Sequence, residues 1–143
     1  MQISPNGTRF IESEEGFSAT VYNDIAGNPT IGYGHKLQPG EHFPDGVTQA
    51  LAVALLDQDL ALVEATLIRL VPADCTQNQY DALCDFGFNL GVGALKTMLA
   101  HGWDQVPTQI LRWDMARVNG VEVVNADLKT RRAAEVALFN TPD

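Results

Sequence analysis

With 143 residues, 45% of them hydrophobic, the chain is the size of one globular domain with a sizeable core. Its net charge of −9, from 18 Asp and Glu against 9 Lys and Arg, is the wrong balance for gripping nucleic acid or an anionic membrane surface. No apolar run approaches the roughly 20 residues of a membrane span, and residues 1–10 carry neither a basic nor an apolar leader pattern, so the chain is expected not to export or insert itself.

In chain order, Ser4-Pro5 reads as an N-cap followed by a first-turn proline, and Gly16 as the glycine that stops a helix over about Pro5 to Glu15. Glu15 then sits beside unpaired carbonyls at the negative end of the helix dipole, next to Glu14. Ionisation is disfavoured there, which suits a proton donor. Phe17, Ala19 and Val21 alternate with Ser18, Thr20 and Tyr22 as in a strand. Asn23-Asp24 opens a turn that Gly27-Asn28-Pro29 closes, and Thr30 to Gly34 returns as a second, glycine-rich strand. A carboxylate in a turn is solvated and ionised, so Glu15 and Asp24 are expected to differ in protonation, as a general acid and its partner must. Taken singly, each has a bland reading: Glu12, Glu14 and Glu15 as a solvated charged run, Asp24 as a turn former, Thr30 as a strand residue.

Residues 36–46 read as a loop, with turns at Pro39-Gly40 and Pro44-Asp45-Gly46. Thr48 is the expected N-cap of a long helix running to Pro72, with Leu51, Leu55, Leu62, Val63, Leu67 and Leu70 near its apolar stripe and Asp57, Asp59 and Glu64 on its solvated face. A further helix from Thr76 presents Tyr80, Leu83, Phe86 and Leu90 until Gly91-Val92-Gly93 breaks it. Short helices are expected over Leu95–Ala100, Pro107–Arg117 and Leu128–Phe139, separated at His101-Gly102 and Asn119-Gly120. Cys75 and Cys84 fall in this helical sequence as reduced thiols. His35, His42 and His101 lack metal-ligand spacing, so neither a metal nor a cofactor is implied.

Glu15-Gly16, Tyr22, Asp24, Gly27 and Thr30-Ile31-Gly32-Tyr33-Gly34-His35, with spacing E-x8-D-x5-T, resemble the signature of phage-type lysozymes, the muramidases of glycoside hydrolase family 24. Phe86 to Leu95 is similar to a second motif of that family, and the resemblance thins beyond it: Thr130 stands where related chains often carry an asparagine before the arginine pair. The resemblance implies a lysozyme-like α+β fold, mainly α, in a single domain: a small N-terminal hairpin lobe and loop over about 1–46, a connecting helix over 47–72 and a helical C-terminal lobe over 73–143, with a cleft between the lobes. It implies Glu15 as acid, Asp24 as base and Thr30 as its partner in holding water, which is the arrangement of an inverting enzyme. Lys36, Phe88, Asn89 and Arg131 become candidates for substrate binding, while His35 reads as a structural tie at the site. For Asn89 a capping role, for Phe88 a core role and for Arg131 a surface role stand as alternatives. The expected partner is bacterial peptidoglycan. A monomer is expected that accumulates in the host cytoplasm and reaches the wall through a separate holin-type pore. The rival readings are a peptidoglycan-binding module without activity and a scaffold protein.

Overall fold

The computed structural model describes residues 1–143. In chain order its elements are α1 (Pro5–Glu15), β1 (Ser18–Asn23), β2 (Pro29–Gly32), β3 (His35–Lys36), α2 (Gln49–Leu67), α3 (Gln77–Leu90), α4 (Val92–Leu99), a 3-10 turn (Trp103–Gln105), α5 (Val106–Ile110), β4 (Met115–Val118), β5 (Val121–Val124) and α6 (Ala126–Phe139). This is the α+β, mainly α, class expected from the sequence. The chain divides into two compact units, residues 9–62 and residues 1–8 with 63–143, so the division falls inside α1 and α2.

In the unit of residues 9–62, β1, β2 and β3 form an antiparallel sheet in that order, with Tyr22 opposite Thr30 and Ile31 opposite His35. The alternation read in β1 does not bury a face. Ser18 pairs with Gly32 but Tyr22 with Thr30, and the extra residues between them bulge the strand, leaving Phe17 and Val21 exposed. β2 instead carries the apolar load through Ile31, which joins Ile11, Tyr33, Val47, Ala52, Leu55, Leu56 and Leu60 in the core.

Thr48 caps α2 as expected, its hydroxyl accepting from the Leu51 N–H at 3.2 Å. The stripe is rotated, however: Ala52, Leu55, Leu56, Leu60, Val63 and Leu67 are buried, whereas Leu51, Leu62 and Leu70 face water. The helix also stops at Leu67 rather than Pro72. The N–H groups of Arg69 and Leu70 turn back to the carbonyls of Thr66 and Leu67, tightening the last turn ahead of a proline that disfavours helix at Val71. Two of the three acids assigned to its solvated face are bonded instead: Glu64 accepts from the Ile3 N–H, and Asp59 meets His35.

The second unit is built around α3, which is buried continuously from Tyr80 to Gly87. Its N-terminus has a capping box between Thr76 and Gln79, and the Asp143 carboxylate accepts from the N–H groups of Gln77 and Asn78 at 2.8 and 2.9 Å. Gly87 lets α2 come close, since a Cβ there would lie 2.6 Å from Val63 Cγ1. Ser4 caps α1 by accepting from the Gly7 N–H, and the same residue binds the buried Asp81 carboxylate through its N–H and its hydroxyl. Cys84 lies in α3, but Cys75 precedes the helix in a loop; both are free and buried, and burial pushes the Cys75 thiol up to about 11.

The largest departure from the sequence reading lies between residues 107 and 124. The expected helix to Arg117 ends at Ile110, and Met115–Val118 and Val121–Val124 form a hairpin with Val118 opposite Val121. Asn119 and Gly120, read as a separator between helices, take φ of 50° and 79°, the left-handed pair of a two-residue hairpin turn.

His35 is 3% exposed and bonded at both ring nitrogens, Nδ1 to Asp59 at 2.8 Å and Nε2 to Glu41 at 2.9 Å. Two carboxylate partners require two N–H groups, hence the imidazolium. Burial alone favours the neutral ring, but the bonds and charges of Glu41 and Asp59 outweigh it and raise the pKa above its usual value. Glu41 is lowered by the Gln38 N–H and by His35, whereas burial raises Asp59, so Glu41 is the more firmly ionised partner. A raised histidine stabilises fully below its unfolded pKa of about 6.5 and loses that contribution as pH rises through the folded value. His35→Gln should therefore lower stability by about 2–3 kcal/mol near pH 6, with a smaller loss at pH 9. Urea denaturation at the two pH values tests this, and equal losses would show that the charged ring is not the stabilising form.

Candidate active site

Glu15, Asp24 and Thr30 all belong to the unit of residues 9–62, and three different local devices place them. Glu15 ends α1, where Gly16 adopts φ of 68° and returns its N–H to the Glu12 carbonyl. Its carboxylate rests against the backbone of Gly34: a Cβ at that position would be 2.6 Å from Glu15 Oε2 and 2.9 Å from Cδ. Gly34 also has φ of 79°, so this glycine of the TIGYGH run serves both a turn and a close approach to the acid.

Asp24 lies in the turn after β1, its carboxylate fixed from inside that turn. Oδ1 accepts from the N–H groups of Ala26 and Asn28 at 2.9 and 2.8 Å, and Oδ2 from Asn28 Nδ2 at 3.2 Å. Lys36 Nζ stands 3.8 Å from Oδ2, which puts one residue expected at the substrate beside this acid. Burial pushes the Asp24 carboxyl up, but the Asn28 bonds, Lys36 and the Ala26 N–H together outweigh it and hold it below the usual range. It is an ionised acceptor at neutral pH, as a solvated turn carboxylate should be.

Thr30 is 2% exposed, and its hydroxyl donates to the Asn28 carbonyl at 2.8 Å. A hydroxyl has one proton to give, so what remains on Thr30 Oγ1 is acceptor capacity. Asn28 thus serves both neighbours, donating twice to Asp24 and accepting from Thr30. The sequence reading gave it only a turn role, although an asparagine four residues after an aspartate within one turn is a signal for such bonds. Tyr22, opposite Thr30, has its phenol pushed up by burial and by the charges of Glu15 and Asp24, which places it in the field of both acids.

The other candidates lie in the second unit. Asn89, in the last turn of α3, caps nothing: its Oδ1 accepts from Arg132 Nη2 at 2.9 Å. Phe88 is half-buried and Phe86 fully so, edge-on to Trp113. Arg131 is no surface arginine. It is 7% exposed, with Nε and Nη2 at 3.0 and 2.7 Å from the two oxygens of a fully buried Asp85. Beside this pair, Arg132 Nη2 donates to Glu135 Oε1 at 2.5 Å. Burial raises the Glu135 pKa, Asp85 adds to the rise, and the two arginines oppose it. Asp85 was not a sequence candidate, because its pairing with Arg131 spans 46 residues and leaves no local trace, whereas Arg132 and Glu135, three apart on α6, carry one.

Two acids of unlike environment on an α+β scaffold, one against a glycine and one ionised in a turn, form a candidate site of the two-carboxylate kind that glycoside hydrolases use. A family model described as phage lysozyme matches residues 12–135. An endolysin of Acyrthosiphon pisum secondary endosymbiont phage 1 is 36% identical over 147 residues, covering 99% of each chain. Among solved structures, an endolysin from Escherichia coli O157:H7 phage FAHEc1 superposes with a TM-score of 0.87 at 29% identity, covering 98% of this chain and 94% of that one. The muramidase domain of SpmX from Asticaccaulis excentricus superposes with a TM-score of 0.84 at 36% identity over 99% of each. The chain belongs to the phage lysozyme family and is an enzyme of the lysozyme type, a hydrolase.

The contact between Gly34 and Glu15 has a measurable consequence. Gly34→Ala should displace the Glu15 carboxylate by roughly an ångström and lower kcat on peptidoglycan about 10²-fold, because misplacement of that size is enough to spoil a reacting geometry. Steady-state turnover beside a far-ultraviolet spectrum tests this, and near-normal kcat in a folded variant would show that the contact does not set the acid's position.

Proposed function

We propose that the chain hydrolyses the β-1,4 bond between N-acetylmuramic acid and N-acetylglucosamine in bacterial peptidoglycan, with inversion at the anomeric carbon. Glu15 gives its proton to the glycosidic oxygen as the C1–O bond breaks. A water held by Asp24 and Thr30 attacks C1 from the opposite face and passes its proton to Asp24, and solvent exchange resets both acids.

The observation that carries this reading is the commitment of the Thr30 proton to the Asn28 carbonyl. With that proton spent, Thr30 Oγ1 and the ionised Asp24 are both acceptors. A water between two acceptors turns its hydrogens to them and its free lone pair outward, towards an electrophile. A nucleophilic carboxylate, as in a retaining enzyme, would need no such partner. Lys36 beside Asp24 supports ionisation of that acid, and we assign Lys36, Phe88 and Asn89 to binding of the glycan, while the buried Arg131 braces Asp85. We further propose that the enzyme acts as a monomer, accumulates in the bacterial cytoplasm and reaches the wall through a separate pore. No helix of the chain is long and apolar enough to cross a membrane.

Two measurements bear on the mechanism. Glu15→Gln keeps the shape and removes the donated proton, so clearance of chloroform-treated bacterial cells should fall by about 10² to 10⁴ in rate while the fold is kept. Activity within a few-fold of wild type would take Glu15 out of the acid's role. Proton NMR of the first product should show the α-anomer from a β-linkage, and Thr30→Ser, which keeps the hydroxyl, should stay partly active. An initial β-anomer would remove Asp24 and Thr30 as holders of water.

A further inference from the structure

Asn28 makes four contacts with the two residues assigned to hold water. Its N–H and its side-chain Nδ2 donate to Asp24 Oδ1 and Oδ2 at 2.8 and 3.2 Å. Its carbonyl accepts from the Asp24 N–H at 3.0 Å and from the Thr30 hydroxyl at 2.8 Å. Three of the four use Asn28 backbone atoms, which the turn supplies whatever side chain stands there. Only the amide bond depends on the residue being asparagine. An ionised carboxylate has about four lone-pair sites, two on each oxygen. Oδ1 uses both of its own, on the N–H groups of Ala26 and Asn28. Oδ2 uses one, on the Asn28 amide, and Lys36 Nζ at 3.8 Å adds charge from beyond hydrogen-bond range without occupying the other. One site is left on an Asp24 side chain that is still 20% exposed.

We propose that Asn28 is a positioning residue whose side-chain amide closes one side of Asp24 Oδ2, leaving that oxygen a single open direction in which the attacking water is held. The inference rests on the muramidase reading above and deepens it by naming the oxygen that takes the proton of the water. Without the amide, Oδ2 has two open directions. A water bound to Asp24 alone then competes with the water shared between Asp24 and Thr30, and the reacting geometry is populated for less of the time. The Asn28 amide touches the carboxylate and not the glycan, so its effect belongs to turnover and not to substrate binding. The titratable groups around Asp24 are Lys36 on β3 and Tyr22 on β1, whose phenol feels the charges of Asp24 and of Glu15 at the end of α1. None of these changes when the amide is removed. Burial raises the Asp24 carboxyl and the amide bond is among the contacts that lower it, so loss of the amide moves the acid limb of kcat, below which Asp24 is protonated, to higher pH.

Asn28→Ala removes the amide and keeps the three backbone contacts, and residue 28 has no positive φ that an alanine would resist. On purified peptidoglycan strands, kcat on the pH plateau should fall about tenfold with KM within about twofold of wild type, and the acid limb should move to higher pH. Asn28→Asp keeps the shape and the backbone contacts but sets a second carboxylate against Oδ2. Its acid limb should move further up than that of Asn28→Ala, with a plateau no higher. An amide that served only the turn would lower the thermal midpoint of Asn28→Ala and leave limb and plateau in place. A plateau kcat within about twofold of wild type, an unmoved acid limb, or a loss carried by KM would overturn the assignment. If Asn28→Ala does not fold, Asn28→Asp decides by the same three readings. Wild-type protein without turnover, or one whose first product is the β-anomer, would remove the reading on which the inference rests together with the inference itself. An active, inverting wild type with an indifferent Asn28→Ala removes this inference alone.

Discussion

A carboxylate taken out of water must be given donors, and in a chain with twice as many acids as cations that requirement shapes both units. The central helix α3 carries Asp81 and Asp85 on buried positions. Asp81 is met by the Ser4 N–H and hydroxyl and by Gln77, which ties the first residues of the chain to the helix. Asp85 is met by the Arg131 fork, which ties α6 to it. Residues 77 apart in the first case and 46 apart in the second are thereby brought together. Hydrophobic burial along α3 is non-directional and leaves the rotation of its neighbours open; hydrogen bonds directed at these two carboxylates, one set from neutral donors and one from a guanidinium, restrict it.

The kind of donor then decides what each acid can do. Asp24 is held by backbone N–H groups of its own turn, which cannot lose a proton or move away, so it stays an anion and an acceptor. Asp59 and Glu41 share a histidine, a donor that titrates, so that contact weakens with rising pH. Glu135 is buried and lies near the Asp85 carboxylate, and both make it hold a proton more tightly, while Arg132, shared with Asn89, opposes them. Carboxylates thus supply a fixed anion, a pH-dependent tie and a buried brace, separated by whether the partner is backbone, imidazole or guanidinium.

Much of the candidate site was legible because it is local. Glu15, Asp24 and Thr30 fall within sixteen consecutive residues, and glycines, turn residues and a helix end place them without help from distant parts of the chain. The Ser4 cap, the Gly16 stop and the Thr48 cap were legible for the same reason. The hairpin at Met115–Val124 was missed although Asn119-Gly120 is a strong hairpin signal, since the strands flanking it bury no face and so show no alternation to anchor a strand reading. The rotated stripe of α2 failed for a related reason: leucines occur all round that helix, and periodicity cannot tell which of them meet a neighbour.

By itself the sequence determined the class of fold and the family, and singled out Glu15, Asp24 and Thr30 as candidates, because each rests on residue types at short, fixed spacing, where backbone geometry translates sequence directly into position. Only the tertiary structure decided which groups those residues answer to: that Gly34 backs the Glu15 carboxylate, that Asn28 takes the Thr30 proton, and that Arg131 and Arg132, adjacent in the chain, part to serve Asp85 on one side and Asn89 with Glu135 on the other. Those choices are made by the direction of hydrogen bonds between groups brought close by packing, and a direction in space has no counterpart in the order of residues along a chain.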